Sequence, residues 1–417
     1  MGGSKMGKIS ALRMDAEQII AEALSAVQPD EAVRRALGDV AFEGRIVLIA
    51  VGKAAWQMAH AAYDVLGDRI SSGVVITKYQ HAKGRIGSLT CYEAGHPVPD
   101  ENTLRATQAA CEAVRGLTAQ DTVLFLLSGG GSALFEQPLV SLSELQDITE
   151  QLLASGADIR EINTVRKRLS AVKGGKFAQL CQPAQVFSVI LSDIVGDPID
   201  MIASGPVSSD HSTAEQALAV VKKYALRLSP RAEQLLHCET PKVLENVQIR
   251  ITGSVRELCD AALRACETLD YHTVLLTDRL ECEAREAGRF LAAIAGTHAL
   301  RGDRLAFLAG GETVVHLTGK GKGGRNQELA LAAAQGLTGL PAAIFSVGSD
   351  GTDGPTDAAG GYVDGMTAET LSALGFDIAA ELRDNNAYPT LAAVDGLIHT
   401  GPTGTNVNDF SVLLIER

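Results

Sequence analysis

Apolar residues along the chain follow two alternating rhythms. Short, β-branched runs at 46–51, 73–77, 122–127, 186–191, 249–252, 273–276, 305–309 and 342–347 recur between longer stretches, such as 102–114 and 255–269, where apolar positions are spaced three and four apart. Continuous apolar runs mark strands buried on both faces, and the stretches between them have the period of helices that would cover those faces. The alternation predicts an α/β protein built from two α/β domains with largely parallel sheets. Residues 237–247, HCETPKVLENV, break the helical period with a proline before IRITG opens a fresh series, which puts the domain boundary between 1–240 and 241–417. The opening MGGSKMGKIS has no apolar core after its lysines, so no signal peptide is expected, and the first helical stretch is read from near Met14.

Composition narrows the function classes. With 46% apolar residues in 417, each half has enough apolar surface for its own core. No apolar run approaches the roughly 18 residues that a membrane span requires, so no membrane partner is expected. The net charge of -13 opposes a polyanionic partner, because nucleic-acid binding rests on clustered Lys and Arg, and a small molecule becomes the expected ligand. Seven cysteines without a CxxC pair indicate neither a disulfide framework nor a zinc site, and point to a reducing, cytoplasmic setting.

Nearly every expected strand runs into glycine and then a helix start: AVGKAA at 50–55, LLSGGGSAL at 126–134, ITGSV at 251–255, LAGGET at 308–313 and SVGSDGTDGP at 346–355. The carboxyl ends of parallel strands form the ligand crevice of such sheets, and bare N–H groups at the following helix attract anions. Ser128, Gly129, Gly130, Gly131 and Ser132 are the strongest candidate, read either as a socket for phosphate or carboxylate or as an ordinary tight turn. A GxGxxG occurs at Gly319, Gly321 and Gly324, but Lys320, Lys322 and Arg325 stud it and no acidic ribose reader follows at the expected distance, which favours a polyphosphate over a dinucleotide. No GxxxxGK[ST] is present.

Lys53 follows directly on a strand and glycine, where a ligand would lie. Arg166, Lys167, Arg168, Lys173 and Lys176 crowd around two glycines in an otherwise acidic chain, as ligand contacts or as a basic helix face. Carboxylates gather at strand ends: Asp193, Asp197 and Asp200; Asp350, Asp353 and Asp357; and Glu312 after Gly310 and Gly311. Such groups near phosphate sockets suit Mg²⁺, which takes one or two protein carboxylates and keeps its waters. His81 and His96 read as structural hydrogen bonders. Neither GxSxG nor HExxH is present.

VGKAA at 51–55, VITKYQHAKG at 75–84, EAGHPVPDENTLRA at 93–106, LSGGGSAL at 127–134, INTVRKRLSAVKGGK at 162–176, LSDIVGDPIDMIASGP at 191–206, GGET at 310–313, GGRNQELAL at 323–331, SDGTDGPTDAAGG at 349–361 and TGPTGTNVNDF at 400–410 together resemble the class II glycerate 2-kinase family. The resemblance implies a Rossmann-like N-terminal domain, a C-terminal MOFRL region, and an active site in the cleft between two α/β domains. It also implies ATP-dependent phosphorylation of D-glycerate to 2-phosphoglycerate with Mg²⁺ or another divalent metal. Within it, Lys53, Asp193 and Arg325 are the expected catalytic residues. Residues 128–132, Lys173, Lys176, Gly310, Gly311, Glu312 and Asn326 are expected to contact substrate or nucleotide, with Asp193, Asp350 and Asp353 at the metal. Gln80 stands where that family often has a small residue. Members have also been labelled hydroxypyruvate reductases, so an NAD(P)H-dependent reductase is the alternative. That activity would require a dinucleotide loop and an acid–base histidine near its carbonyl.

Overall fold

The computed structural model describes residues 2–196, 198–299 and 302–416, with side chains from residue 11 onward. The chain divides into two compact units, one formed by Pro29–Ser192 and Asp197–Thr252, the other by Met1–Gln28, Asp193–Gly196 and Gly253–Arg417.

The first unit holds a six-stranded sheet of β1 (Ile46–Val51), β2 (Ile70–Lys78), β3 (Thr90–Ala94), β4 (Thr122–Leu127), β5 (Gln185–Leu191) and β6 (Val247–Gly253), in the order β3-β2-β1-β4-β5-β6. The five strands from β3 to β5 run parallel. β1 and β4 are buried at every position, as their uninterrupted apolar runs require. The strand order reverses between β1 and β4, and the crevice outside their carboxyl ends is where such sheets bind ligands. The helix Glu101–Ala113 starts on a capping box in which Asp100 and Thr103 satisfy each other's backbone N–H.

The second unit holds β7 (His272–Leu280), β8 (Leu305–Gly311), β9 (Ala342–Gly348), β10 (Gly360–Asp364), β11 (Leu397–Ile398) and β12 (Asp409–Ile415), in the order β11-β10-β9-β12-β8-β7. This sheet is mixed rather than largely parallel. β12 runs antiparallel to both β8 and β9, and β10 antiparallel to β9. No helix separates β11 from β12, so the last strand has no crossover to bring it in parallel. Its first residue therefore lies at the carboxyl ends of β8 and β9, which positions the site described below. Alternate residues of β12 feed two cores: Phe410, Val412 and Leu414 pack with Leu12, Ile19 and Leu258, while Leu413 and Ile415 pack with Leu291, Leu329 and Ala333.

Two boundaries differ from those expected near residue 240. β6 joins the edge of the first sheet beside β5, where Val186 N donates to Asn246 O, instead of opening the second domain. The first helix, Gly2–Ala26, belongs to the second unit, because Leu12, Ala16, Ile19 and Ala23 fill a core there that its own neighbours in sequence do not supply. No helix among the described residues is long and apolar enough to cross a membrane.

Candidate active site

In the first unit the loops after β1 and β4 are laced together at the strand-order reversal. Lys53 N donates to Gly129 O at 2.9 Å, Ser128 N to Val51 O at 2.9 Å, and Ala54 N to Ser128 Oγ at 3.1 Å. Gly130 turns the chain with φ +88°, a conformation that glycine adopts without steric cost. A Cβ on it would stand 3.1 Å from His96 Cδ2 and Nε2 and 3.2 Å from Lys53 Cγ, so the ammonium stem and the imidazole both flank this turn. Thr77 Oγ1 donates to Lys53 O at 3.3 Å, and His81 Nδ1 lies 3.2 Å from the same carbonyl. Burial, followed by the charges of Lys53 and Lys78, holds His96 below the usual imidazole range, so its ring is neutral near pH 7. Gln80, where the resembling family often has a small residue, sits at φ +67° in the turn after β2.

Lys173 and Lys176, expected as ligand contacts, serve the framework instead. The Lys173 ammonium donates to Ser132 O at 2.9 Å and Phe135 O at 3.0 Å, lies 3.6 Å from the Glu136 carboxylate, and is pushed down to about 8 by burial. Lys176 donates to Lys167 O at 2.9 Å and Ser170 O at 2.6 Å, capping the end of the helix Ile159–Leu169, and burial likewise lowers it to about 8. Lys167 is fully inside, bonded to Asp210 at 3.0 Å and Asp200 at 3.1 Å. The basic run is thus a set of interior struts, and Lys173 in particular supports the Ser128–Ser132 loop from below.

In the second unit the strand ends bring a separate polar network together. Arg325 opens the helix Arg325–Leu337; its Nε and Nη2 donate to the two carboxylate oxygens of Asp409 at 2.5 and 3.0 Å, and Nη1 to Glu312 at 2.7 Å. Asn408 Nδ2 donates to Glu312 Oε2 at 3.1 Å and to Asp193 O at 3.2 Å. Burial raises Asp409 above the usual carboxylate range while the Arg325 fork opposes that shift.

Asp353, expected at a metal, instead caps this helix. Its carboxylate accepts from Asn326 N at 3.2 Å and Gln327 N at 2.8 Å, and burial pushes it up to about 6 against the pull of those donors. Gly324 is the residue that permits this cap, since a Cβ there would stand 2.2 Å from Asp353 Cγ. Asn326 is buried between Asp353 and Ser346, whose hydroxyl donates to its Oδ1 at 2.6 Å. Asp350 accepts from Thr352 N at 2.9 Å in its own turn, and Asp193 joins the network through its backbone carbonyl. Among the described residues no three or more His, Cys, Asp or Glu lie together as a metal cage, so the expected set of Asp193, Asp350 and Asp353 does not form one. Gly310 and Gly311 are explained by packing: Cβ atoms there would meet Cys259 Sγ at 2.3 Å and Leu280 O at 2.3 Å. Asp197 lies outside the described residues.

In the GxGxxG segment the amides of residues 318–321 are engaged within the fold. Thr318 N and Gly319 N donate to Asn385 Oδ1 at 2.8 and 2.9 Å, Lys320 N to Asp384 Oδ1, and Gly321 N to Asp384 O at 2.7 Å. A dinucleotide loop needs those groups for a pyrophosphate.

Residues 15–237 match a family described as a domain of unknown function (DUF4147), and residues 305–409 match the MOFRL family. The D-glycerate 2-kinase of Thermotoga maritima is 52% identical over 97% of this chain and 99% of its own length. The glycerate 2-kinase of Pyrococcus horikoshii is 39% identical over 95% of this chain and 96% of its own. The crystal structure of a Thermotoga maritima glycerate kinase superposes with a TM-score of 0.94 over 97% of this chain and all of that one, at 51% identity. The chain belongs to the glycerate kinase family. An Agrobacterium vitis relative, 40% identical over 89% of the chain, carries a hydroxypyruvate reductase name, but the amides of residues 318–321 are already engaged and are not free for a pyrophosphate.

Three residues that the structure brings to these networks were not among the expected site residues. Asp409 and Asn408 escaped notice because a polar pair just ahead of an apolar run looks like a turn; only the antiparallel entry of β12 carries it to the functional end of the sheet. His96 was read as a structural hydrogen bonder, yet its imidazole stands at the Gly130 turn beside Lys53.

Proposed function

We propose that the chain transfers the γ-phosphoryl group of ATP to the 2-hydroxyl of D-glycerate, giving 2-phosphoglycerate and ADP. The observation that carries this reading is the 52% identity, across 97% of the chain, to a D-glycerate 2-kinase. The geometry supports it, because phosphoryl transfer asks little covalent chemistry of a protein and much positioning of charge. Lys53 and Arg325 are the cations that meet the charge developing on the transferring group. The Ser128–Ser132 turn, with Gly130 in its left-handed conformation, cradles an anionic group. Asp193 takes the proton of the attacking hydroxyl.

Mg²⁺ bound to the nucleotide would neutralise its phosphates. It needs only one or two protein carboxylates, which fits the lack of a three-ligand cluster among the described residues, and Glu312 and Asp350 are the residues that would hold it. Seven cysteines, all free of disulfides, support a reducing cytoplasmic setting.

The test is ADP release from ATP and D-glycerate with and without Mg²⁺. Release that needs both the acid and the metal is the expected result. Metal-independent NAD(P)H oxidation by hydroxypyruvate, with no ADP formed, would replace this reading with the reductase.

A further inference from the structure

We propose that the second unit seats the base and ribose of the nucleotide, in a groove of about 1000 Å³ whose lining includes Val314, Leu317, Pro355 and Arg325. This rests on the kinase reading above and deepens it by giving the two substrates separate seats.

The volume lies at the top of the range of about 300–1,000 Å³ found for small-molecule sites, and suits a ligand much larger than a three-carbon acid. Leu317 is 83% exposed and Val314 53% exposed. Single exposed apolar residues need no explanation, but here two of them share one groove with a proline and a run of glycines. Gly319 and Gly321 line the groove with backbone fixed by bonds to Asp384 and Asn385, and a Cβ on either would meet Asp384 at 2.3–2.5 Å, so packing against that segment is what excludes a side chain there. An aromatic base laid against Val314 and Leu317 buries apolar area on both partners.

A polar anchor lies in the same groove. Arg325 engages three donors, through Nε, Nη1 and Nη2, which leaves guanidinium N–H groups for a phosphate. Glu312 and Asp350 in the same groove would repel bare phosphates, so the form received is the nucleotide with its divalent cation. The turn around Gly130 in the other unit has the opposite character: Lys53 and His96 flank it, a polar and cationic setting that suits the carboxylate of a small acid.

The test is photolabelling of the intact protein with 8-azido-ATP, mapping of the labelled peptide by mass spectrometry, and kinetics of Leu317→Asp. ATP-competed label within 312–325 or 350–357 is expected. The variant should raise KM for ATP roughly ten-fold, in line with the loss of an apolar contact to a substrate, while KM for glycerate and Tm stay unchanged. Label within 53–56 or 128–134, or a variant whose KM rises for glycerate instead, would overturn the assignment while ADP release by the unaltered protein keeps the kinase reading intact. Absence of both ATP-competed label and ADP release would overturn the two together.

Discussion

Arg325 and Lys53 carry comparable charge but are embedded differently, and their substitution should separate stability from catalysis. Asp409 is 5% exposed and both its oxygens face the Arg325 fork, so Arg325→Ala strands a buried carboxylate and should cost about 3–5 kcal/mol as well as activity. Arg325→Lys keeps the charge but loses the fork, and should lower kcat with a smaller fall in Tm. Lys53 makes no side-chain ion pair among the described residues. Lys53→Ala should therefore lower kcat by about 10²–10³-fold and shift stability by only about 0.5 kcal/mol, as read by steady-state kinetics and thermal melts. Equal losses of stability in both alanine variants would contradict this division.

Asp353 adds a pH dependence. Its folded-state value of about 6 lies above the roughly 3.9 of an unfolded aspartate, so the folded chain binds the extra proton between the two, and this group's contribution to stability falls as pH rises through that window. Activity runs the other way, because the ionised carboxylate accepts the two amides that fix the start of the Arg325 helix. The kcat/KM profile should drop on the acid side near pH 6. Asp353→Asn, which can accept through one oxygen only, should abolish that limb and lower stability by about 1–3 kcal/mol. A profile unchanged by the substitution would remove Asp353 from this role. The roles of Lys173, Lys176 and Asp353 were illegible in the sequence for one reason: a charge near glycines is visible there, but the carbonyls and amides that engage it come from distant segments.

Elements were legible where burial imposed a continuous apolar run. β1, β4, β5 and β9 follow the expected segments closely, and β1, β4 and β9 run out into the expected glycines. β3, with the sequence TCYEA, was missed because it lies at an edge, largely half-buried, and needs no apolar run. β12 was not among the expected segments either, and its direction is not readable in its sequence, since a central strand is apolar on both faces whichever way it runs. The turn after β4 allows a direct test at this scale. Gly130→Ala forces a side chain into φ +88° at a cost of about 1–2 kcal/mol and pushes on His96 and Lys53. Activity should fall further than that strain explains. Full kcat/KM in a folded Gly130→Ala protein would show that the turn carries no ligand.

For the whole molecule, the division into units crosses the sequence in a way that no composition shift announces. The helix Gly2–Ala26 is part of the second unit's core through Leu12, Ile19 and Ala23. Deleting residues 1–27 should uncover that core, seen as dye binding and aggregation, whereas the first unit keeps its own core around Leu48, Met58 and Leu126. A truncated chain that melts like the intact one would contradict the assignment. Phosphorus NMR of the product formed from ATP, Mg²⁺ and D-glycerate shows which oxygen receives the phosphoryl group. The resonance of 2-phosphoglycerate should grow together with that of ADP. A phosphate on the 3-hydroxyl, or an unchanged ATP spectrum, would contradict transfer to the 2-hydroxyl.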